Sequence, residues 1–232
     1  MTHLTFRAVA AVLTLAACKP SPTNSSAPSD SARLAEQPTS PAAAAPDTAT
    51  KPQFARADSA RITGADSAHI WVIEVSDFQC PFCAEWHRTV WSDFRKEFVE
   101  SGRVRFAYVN MPLSSHRNAW PAAETAMCAA VQGKFWPVHD ALFASQDRWA
   151  PLRDPNPVLD SLAAAAGVEM DTYRACRAGH DMRPLIQADY DRAVAASVRS
   201  TPSFIIGGTI LSGVQPLAEL RRAIASASSQ PH

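Results

Sequence analysis

The chain has no surplus of charge of either sign: 22 lysines and arginines balance 22 aspartates and glutamates. That balance removes the basic bias expected of a nucleic-acid binder and the acidic run of a solvating tail, so no nucleic-acid partner is expected. A long hydrophobic run is also missing at the N-terminus. The apolar stretch Ala8 to Ala17 is too short to cross hydrocarbon of ~30 Å as a stable helix. Cysteine is scarce, with five residues at positions 18, 80, 83, 128 and 176. Cys80, Cys83 and His87 have a metal-like C-x2-C-x3-H spacing, but structural zinc wants four ligands and no second cluster completes the set. No metal or other cofactor is therefore expected, and His87 is read as an ordinary helix residue.

What is present begins with an export pattern over residues 1–17, one cation followed by the apolar stretch. Its end, Leu15-Ala16-Ala17-Cys18, resembles a bacterial lipobox, in which cleavage precedes the cysteine and the sulfur receives a diacylglycerol. The plainer alternative is an ordinary signal cut after Ala17, leaving Cys18 as a stray thiol. With a further acyl chain, Cys18 would carry the two or more anchors that stable attachment needs. Lys19 in place of an aspartate points to the outer membrane. Residues 18–57 then scatter prolines 20, 22, 28, 38, 41, 46 and 52 among Ala, Ser and Thr. Such a segment buries too little apolar surface to offset its ordering entropy. It reads as a disordered tether with a reach of roughly 30–40 Å.

The folded part begins near Asp58. Ile70-Trp71-Val72-Ile73-Glu74-Val75 is a nearly continuous apolar run, as expected of a strand covered on both faces. After it come Ser76-Asp77-Phe78-Gln79 and Cys80-Pro81-Phe82-Cys83. Phe82, Trp86, Val90, Phe94 and Phe98 then recur every four residues opposite a charged side, and Ser101-Gly102 stops the helix. Arg103 to Val109 is a second strand, so two cysteines stand where strand turns into helix in a β–α–β unit. Cys80 falls at the helix N-cap with Pro81 at the first helical position, where proline fits. Unpaired N–H groups and the helix dipole favour a thiolate there. Cys83, one turn in, is covered. The expectation is an exposed attacking sulfur at Cys80 and a resolving sulfur at Cys83, the thioredoxin-like redox signature. Glu74, an acid inside an apolar strand, is expensive to bury without a role. It is expected beneath the disulfide as proton acceptor for Cys83, the alternative being a strand-edge glutamate facing solvent.

Farther along, Ser200 to Leu211 reads as two strands around Gly207-Gly208, an antiparallel hairpin, and Pro216 to Ala227 as a closing helix. Pro202 belongs at a strand start or special turn, since it donates no ladder bond. Between the halves, Pro121–Gln132, Pro137–Ala144, Pro157–Ala166, Asp171–Ala178 and Met182–Val198 supply helices separated by turn-forming residues. Residues 62–226 resemble the DsbA family of bacterial thiol–disulfide oxidoreductases, in its single-domain exported branch. Ser76-Asp77-Phe78-Gln79-Cys80-Pro81-Phe82-Cys83 and Gln132-Gly133-Lys134-Phe135-Trp136 with His139-Asp140 carry the likeness.

The resemblance implies an α/β thioredoxin fold with an inserted helical subdomain: residues 58–111 and 200–229 as the two halves, 112–199 as the insertion. It also implies a cis peptide before Pro202, Thr201 and Pro202 facing the disulfide and docking substrate backbone, and Glu74 in the place of the family's buried acid. Protein thiols and disulfides would be the substrates of a monomer on the periplasmic side, recycled by a membrane redox partner. An oxidase is the first expectation, with a reductase or isomerase second. No dimerisation domain precedes the catalytic one, which argues against the V-shaped isomerases, and Gln79 stands where reductants of cytochrome maturation carry Trp. A tethered binding or chaperone module with a vestigial disulfide is the non-enzymatic alternative. With Cys18 assigned to lipid and Cys80 and Cys83 to catalysis, Cys128 and Cys176 remain, and an oxidising compartment favours bridging them. Alanines beside both would let the backbones approach; the alternative is two buried free cysteines. His116 is read as a solvated loop histidine, and Trp71, Trp86, Trp91, Trp120, Trp136 and Trp149 as core and interface packing.

Overall fold

The computed structural model describes residues 52–229. The stretch read as an export signal, Cys18, and the residues read as a tether up to Lys51 lie outside the described residues. The fold starts earlier than Asp58. Helix α1 (Pro52–Ala60) buries Phe54 and Ala57 in a cluster shared with the helical insertion, so the last residues read as tether belong to the core. One aromatic at the right helical spacing from an alanine was enough to dock this end, which proline and alanine content alone concealed.

The sheet has five strands in the order β1-β3-β2-β4-β5: β1 (Ile62–Gly64), β2 (Ile70–Ser76), β3 (Val104–Asn110), β4 (Ser203–Ile206) and β5 (Thr209–Ser212). β2 runs parallel to β3 and antiparallel to β4, placing it at the centre. Val72 and Glu74 to Ser76 are buried, while Ile70, Trp71 and Ile73 keep some exposure, so the expected cover on both faces is complete only toward the site. Helix α2 (Pro81–Trp86) continues without a break through a π-helical turn (His87–Trp91), Ser92–Phe94 and a second π-helical turn (Arg95–Val99). The expected four-residue row is only partly its buried face. A strict four-residue repeat drifts against 3.6 residues per turn. Phe82 at the start ends up 59% exposed, Val90 is half-buried, and Trp91 is buried instead.

Trp86, Phe94 and Phe98 pack with Val72, Phe106, Phe204 and α9 (Leu217–Ser228) in one core. The other core lies under the insertion: α3 (Ala119–Ala130), α4 (Phe135–Ala144), α5 (Gln146–Trp149), α6 (Asn156–Ala165), α7 (Met170–Ala178) and α8 (Arg183–Ala195). Cys80, Cys83 and Ala84 belong to this second cluster, so the two cores meet along α2. The buried Arg61 guanidinium pairs with Asp189 of α8, which also accepts from the Asn110 side chain at 3.0 Å, tying β3 to the insertion. Trp71 departs from the packing expectation. It is 38% exposed on β2, with the Arg105 guanidinium 4.6 Å above its ring, a cation–π contact on the surface.

Candidate active site

The site is built where β2 hands over to α2. Cys80 has extended backbone as N-cap of α2, its carbonyl accepts the Ala84 N–H at 3.1 Å, and Pro81 takes the first helical position. Its own N–H donates to the Asp77 carbonyl at 3.0 Å, closing the turn out of the strand. Cys80 and Cys83 are free thiols. The expectation of an exposed Cys80 needs correcting, since the residue is only 4% exposed. The Thr201 carbonyl caps it, accepting from the Cys80 thiol at 3.4 Å, while Phe82 takes the solvent-facing position beside it. Thr201 therefore lies against the Cys80 sulfur and is joined to Pro202 by a cis peptide bond.

The two sulfurs are electrostatically opposite. The Cys80 thiol is lowered to about 6, first by the hydrogen bond from Cys83, against the cost of burial, with help from Thr201 and the backbone N–H groups of Cys83 and Phe82. Cys83 is fully buried, and its thiol is held well above the ordinary value, by burial first, then by its bond to Cys80 and the charges of Cys80 and Glu74. A thiolate forms at one sulfur, and the proton stays on the other.

Glu74 lies on β2 between Tyr108 of β3 and Phe204 of β4, with no exposed surface, so it is not a strand-edge glutamate. Its Oε1 meets the His87 Nε2 at 3.0 Å, and its Oε2 has no partner. His87 is thus not an ordinary helix residue: it is buried, stacked on Phe143 at 4.0 Å, and 4.6 Å from the ring of His139. The Nδ1 of His139 bonds Asp140 at 2.8 Å, leaving its buried Nε2 unpaired. Burial, and next the neighbouring His87, lower His139 to about 4, so it is neutral at pH 7. Donor atoms of Glu74, His87 and His139 lie within 4.8 Å of one another, the one such grouping among the described residues compatible with a metal ion. A single helix turn carries both Cys83 and His87, a signal that i, i+4 spacing offers and that the metal-spacing argument set aside.

Around this centre, polar side chains fix the loop before Cys80. Asp77 accepts from the N–H groups of Gln79 (2.8 Å) and Leu113 (2.9 Å) and bonds His116 Nδ1 at 2.7 Å. That bond raises His116 above the usual imidazole range, against partial burial; it is held, and not a free loop histidine. The Gln79 side chain accepts from the Asn118 N–H at 2.6 Å and donates to the Ala150 carbonyl at 3.0 Å. Gln146, on the short helix α5 that sequence patterning missed, donates to the carbonyls of Phe78 (2.7 Å) and Cys80 (2.9 Å). Away from the site, Cys128 of α3 and Cys176 of α7 are joined as a disulfide with Cα atoms 5.9 Å apart.

The thioredoxin family model matches residues 56–226. The chain is 33% identical over 171 residues, 73% of its length, to the Na(+)/H(+) antiporter NhaA 3 of Salinispora tropica, but spans only 25% of that protein. It is 25% identical over 150 residues to the probable disulfide bond formation protein D of Bacillus cereus, covering 63% of this chain and 69% of that one. The crystal structure of α-DsbA1 from Wolbachia pipientis superposes with a TM-score of 0.64 at 22% identity, over 72% of this chain and 89% of that chain. The last of these bears on the fold alone.

Proposed function

Because the chain belongs to the thioredoxin family, we propose that it is a thiol–disulfide oxidoreductase acting on protein substrates through Cys80 and Cys83, in the oxidising direction. The observation that carries this reading is the asymmetry of the pair: a thiolate-prone Cys80 lowered to about 6 beside a buried Cys83 that keeps its proton. A substrate thiolate attacks the Cys80 sulfur of the oxidised pair; the Cys80–Cys83 bond breaks and Cys83 leaves with the electron pair, taking a proton from Glu74. A second substrate thiolate then attacks its own sulfur in the mixed disulfide, and Cys80 departs as the thiolate that its surroundings stabilise. The substrate loses two electrons, and the pair gains them.

The same stabilisation sets the direction. Whatever holds the reduced form as a thiolate makes the disulfide a stronger oxidant. Thr201, against Cys80, and Pro202, joined to it by the cis bond, are assigned to docking the substrate backbone. A membrane redox partner would return the pair to the disulfide, and the work would take place on the exported side of a membrane to which Cys18 anchors a monomeric chain. Loss of detergent partitioning in Cys18→Ala, with exchange activity retained, would support that anchoring; a wild type that enters the aqueous phase would contradict it.

Equilibration of Cys80–Cys83 with glutathione tests the direction. A potential above about −200 mV is expected of an oxidant, and one near the thioredoxin value of about −270 mV would instead make the protein a reductant. Turnover that survives Cys80→Ser would remove the enzymatic reading altogether.

A further inference from the structure

Glu74 has a transport problem. On the reading above it delivers one proton to Cys83 each time the pair opens and accepts one each time it closes, yet no part of it meets solvent. Cys80 lies on the side where substrate must dock, and a docked polypeptide would close that side to water. A buried carboxylate that cycles its proton needs a partner able to exchange with water elsewhere.

Among the described residues, the one side chain bonded to Glu74 is His87, at 3.0 Å. It stands seven residues beyond Cys80 on α2, on the order of 10 Å along the helix at 1.5 Å per residue. His87 also lines a cleft of about 180 Å³ together with Arg88, Trp91, Asp140, Phe143 and Ala144. None of Cys80, Phe82, Thr201 or Pro202 lines it. The imidazole therefore has one nitrogen on the buried acid, and its residue borders an opening away from the substrate side; Nδ1 itself is covered, so it meets that opening through a water admitted between them. Its Nδ1 has no protein partner, and neither does Glu74 Oε2 nor His139 Nε2. Three buried polar atoms left without protein partners around one contact are the pattern of a site that takes up water.

We propose that His87 is the proton port of the site: it passes protons between Glu74 and water in the cleft behind α2, so that exchange at Cys80 continues while substrate covers the front. When Cys83 gives up its proton, Glu74 receives it. Nε2 of His87 then takes that proton as Nδ1 releases one to cleft water, and a ring flip or tautomer change resets the imidazole. Every proton accepted at Nε2 is matched by one released at Nδ1, and no electrons move. An imidazole suits the task because its two nitrogens donate and accept on opposite sides of one ring. The charged and titratable groups around it are Glu74 and, beyond it, Tyr108 on the strands, His139 and Asp140 on α4, and Cys83, Arg88 and Arg95 on α2. Burial keeps His139 neutral, against the bond its Nδ1 makes to Asp140, and so spares His87 a second cation at 4.6 Å.

The proposal rests on the assignment of Glu74 as the acid, and one set of variants separates the two. The rate of opening of the oxidised pair by a cysteine peptide would be followed by stopped flow in wild type, E74Q, H87Q and H87A, with the glutathione equilibrium measured alongside. H87Q keeps an N–H donor for Glu74 but cannot relay a proton. A slowing on the order of a hundredfold is expected, the lower end of what positioned proton transfer contributes. The redox equilibrium should be unchanged, because the end states are the same. In H87A, added imidazole should enter the vacated ring volume through the cleft and restore the rate with saturation. A wild-type rate in H87Q, or an H87A defect that imidazole fails to reverse, would overturn the port and leave His87 as packing. If E74Q itself opens at the wild-type rate, the fault lies with the acid assignment, and the port falls with it.

Discussion

The molecule contains two cysteine pairs of similar burial and opposite behaviour. Cys128 and Cys176 sit on α3 and α7, bridged, with Ala126, Ala129, Ala130 and Ala175 as chain neighbours. Cys80 and Cys83 share the first turn of one helix as free thiols, 4% and 0% exposed, with a buried carboxylate behind them. Exposure does not distinguish the pairs, since Cys176 at 7% is more open than Cys80. What differs is the company. The insertion pair lies near the C-terminal ends of α3 and α7, away from the helix N-termini that favour a thiolate. The α2 pair has backbone donors aimed at one sulfur and Glu74 placed to hold a proton on the other. Reactivity here is a property of the surroundings, and the tests below set one pair against the other.

The largest contrast is in turnover. Cys80→Ser should reduce exchange with a disulfide-forming peptide to the uncatalysed level, and Cys83→Ser should accumulate a mixed disulfide at Cys80 visible by mass spectrometry. Cys128→Ala/Cys176→Ala should do neither. Trapped substrate at Cys128 or Cys176 would erase the distinction. Next in size is stability. Removing the insertion bridge reopens a loop spanning 48 residues. The chain-entropy model gives about 4 kcal/mol for such a loop, and native bridges commonly contribute 2–4 kcal/mol. A urea titration of the double alanine variant should show a loss of about that size, with the exchange rate retained wherever the protein is still folded. Unchanged stability would mean that close packing, not the bridge, holds α3 to α7.

Titration separates the two sulfurs within the reactive pair. A lowered thiol ionises as pH rises through its folded value, so alkylation of reduced Cys80 by iodoacetamide should climb with a midpoint near pH 6. Cys83, raised well above its ordinary value, should stay unlabelled at neutral pH. The low solvent exposure of Cys80 will depress the absolute rate without moving the midpoint. Equal labelling of both sulfurs at pH 6 would invalidate the assignment of attacking and resolving roles.

Much of this was legible in the sequence because it depends on neighbours along the chain. The N-cap position of Cys80 follows from Pro81 and the helical row after it, and the burial of Glu74 from the apolar residues flanking it in β2. The long helices of the insertion came within about two residues of their observed limits, except for α8, which ends at Ala195 and not Val198. What was missed depends on contacts across the chain. His87 gains its importance from an acid 13 positions earlier, and His116 from Asp77, 39 positions away. Helix α1 is docked by packing against α3, which no local pattern announces. Cys80 is capped by the carbonyl of Thr201, 121 residues later, which accepts from its thiol. Helix α5, four residues long, is too short to carry a periodicity at all.

That short helix supports the smallest effect and the most direct probe of how the insertion holds the reactive pair. Gln146 Nε2 is the donor for two carbonyls of the turn into α2, those of Phe78 and Cys80, and the residue is 8% exposed. In Gln146→Leu, the volume is roughly kept while both acceptors lose their partner, and an unsatisfied buried polar group costs about 1–3 kcal/mol. The Cys80 carbonyl also accepts the Ala84 N–H, so it is not left bare, and the loss should fall toward the lower end. For a chain of this size, 1 kcal/mol corresponds to about 2–4 °C in Tm. The Gln79 side chain, bonded to Ala150 and Asn118, makes the parallel tie. If the two ties hold one rigid loop, Gln79→Ala and Gln146→Leu should be non-additive in Tm, because breaking either already frees the loop. The same double variant should spare the Cys128–Cys176 bridge while broadening the pH titration of Cys80. Additive losses with an unaltered Cys80 titration would show that the N-terminus of α2 sets the thiolate without support from the insertion.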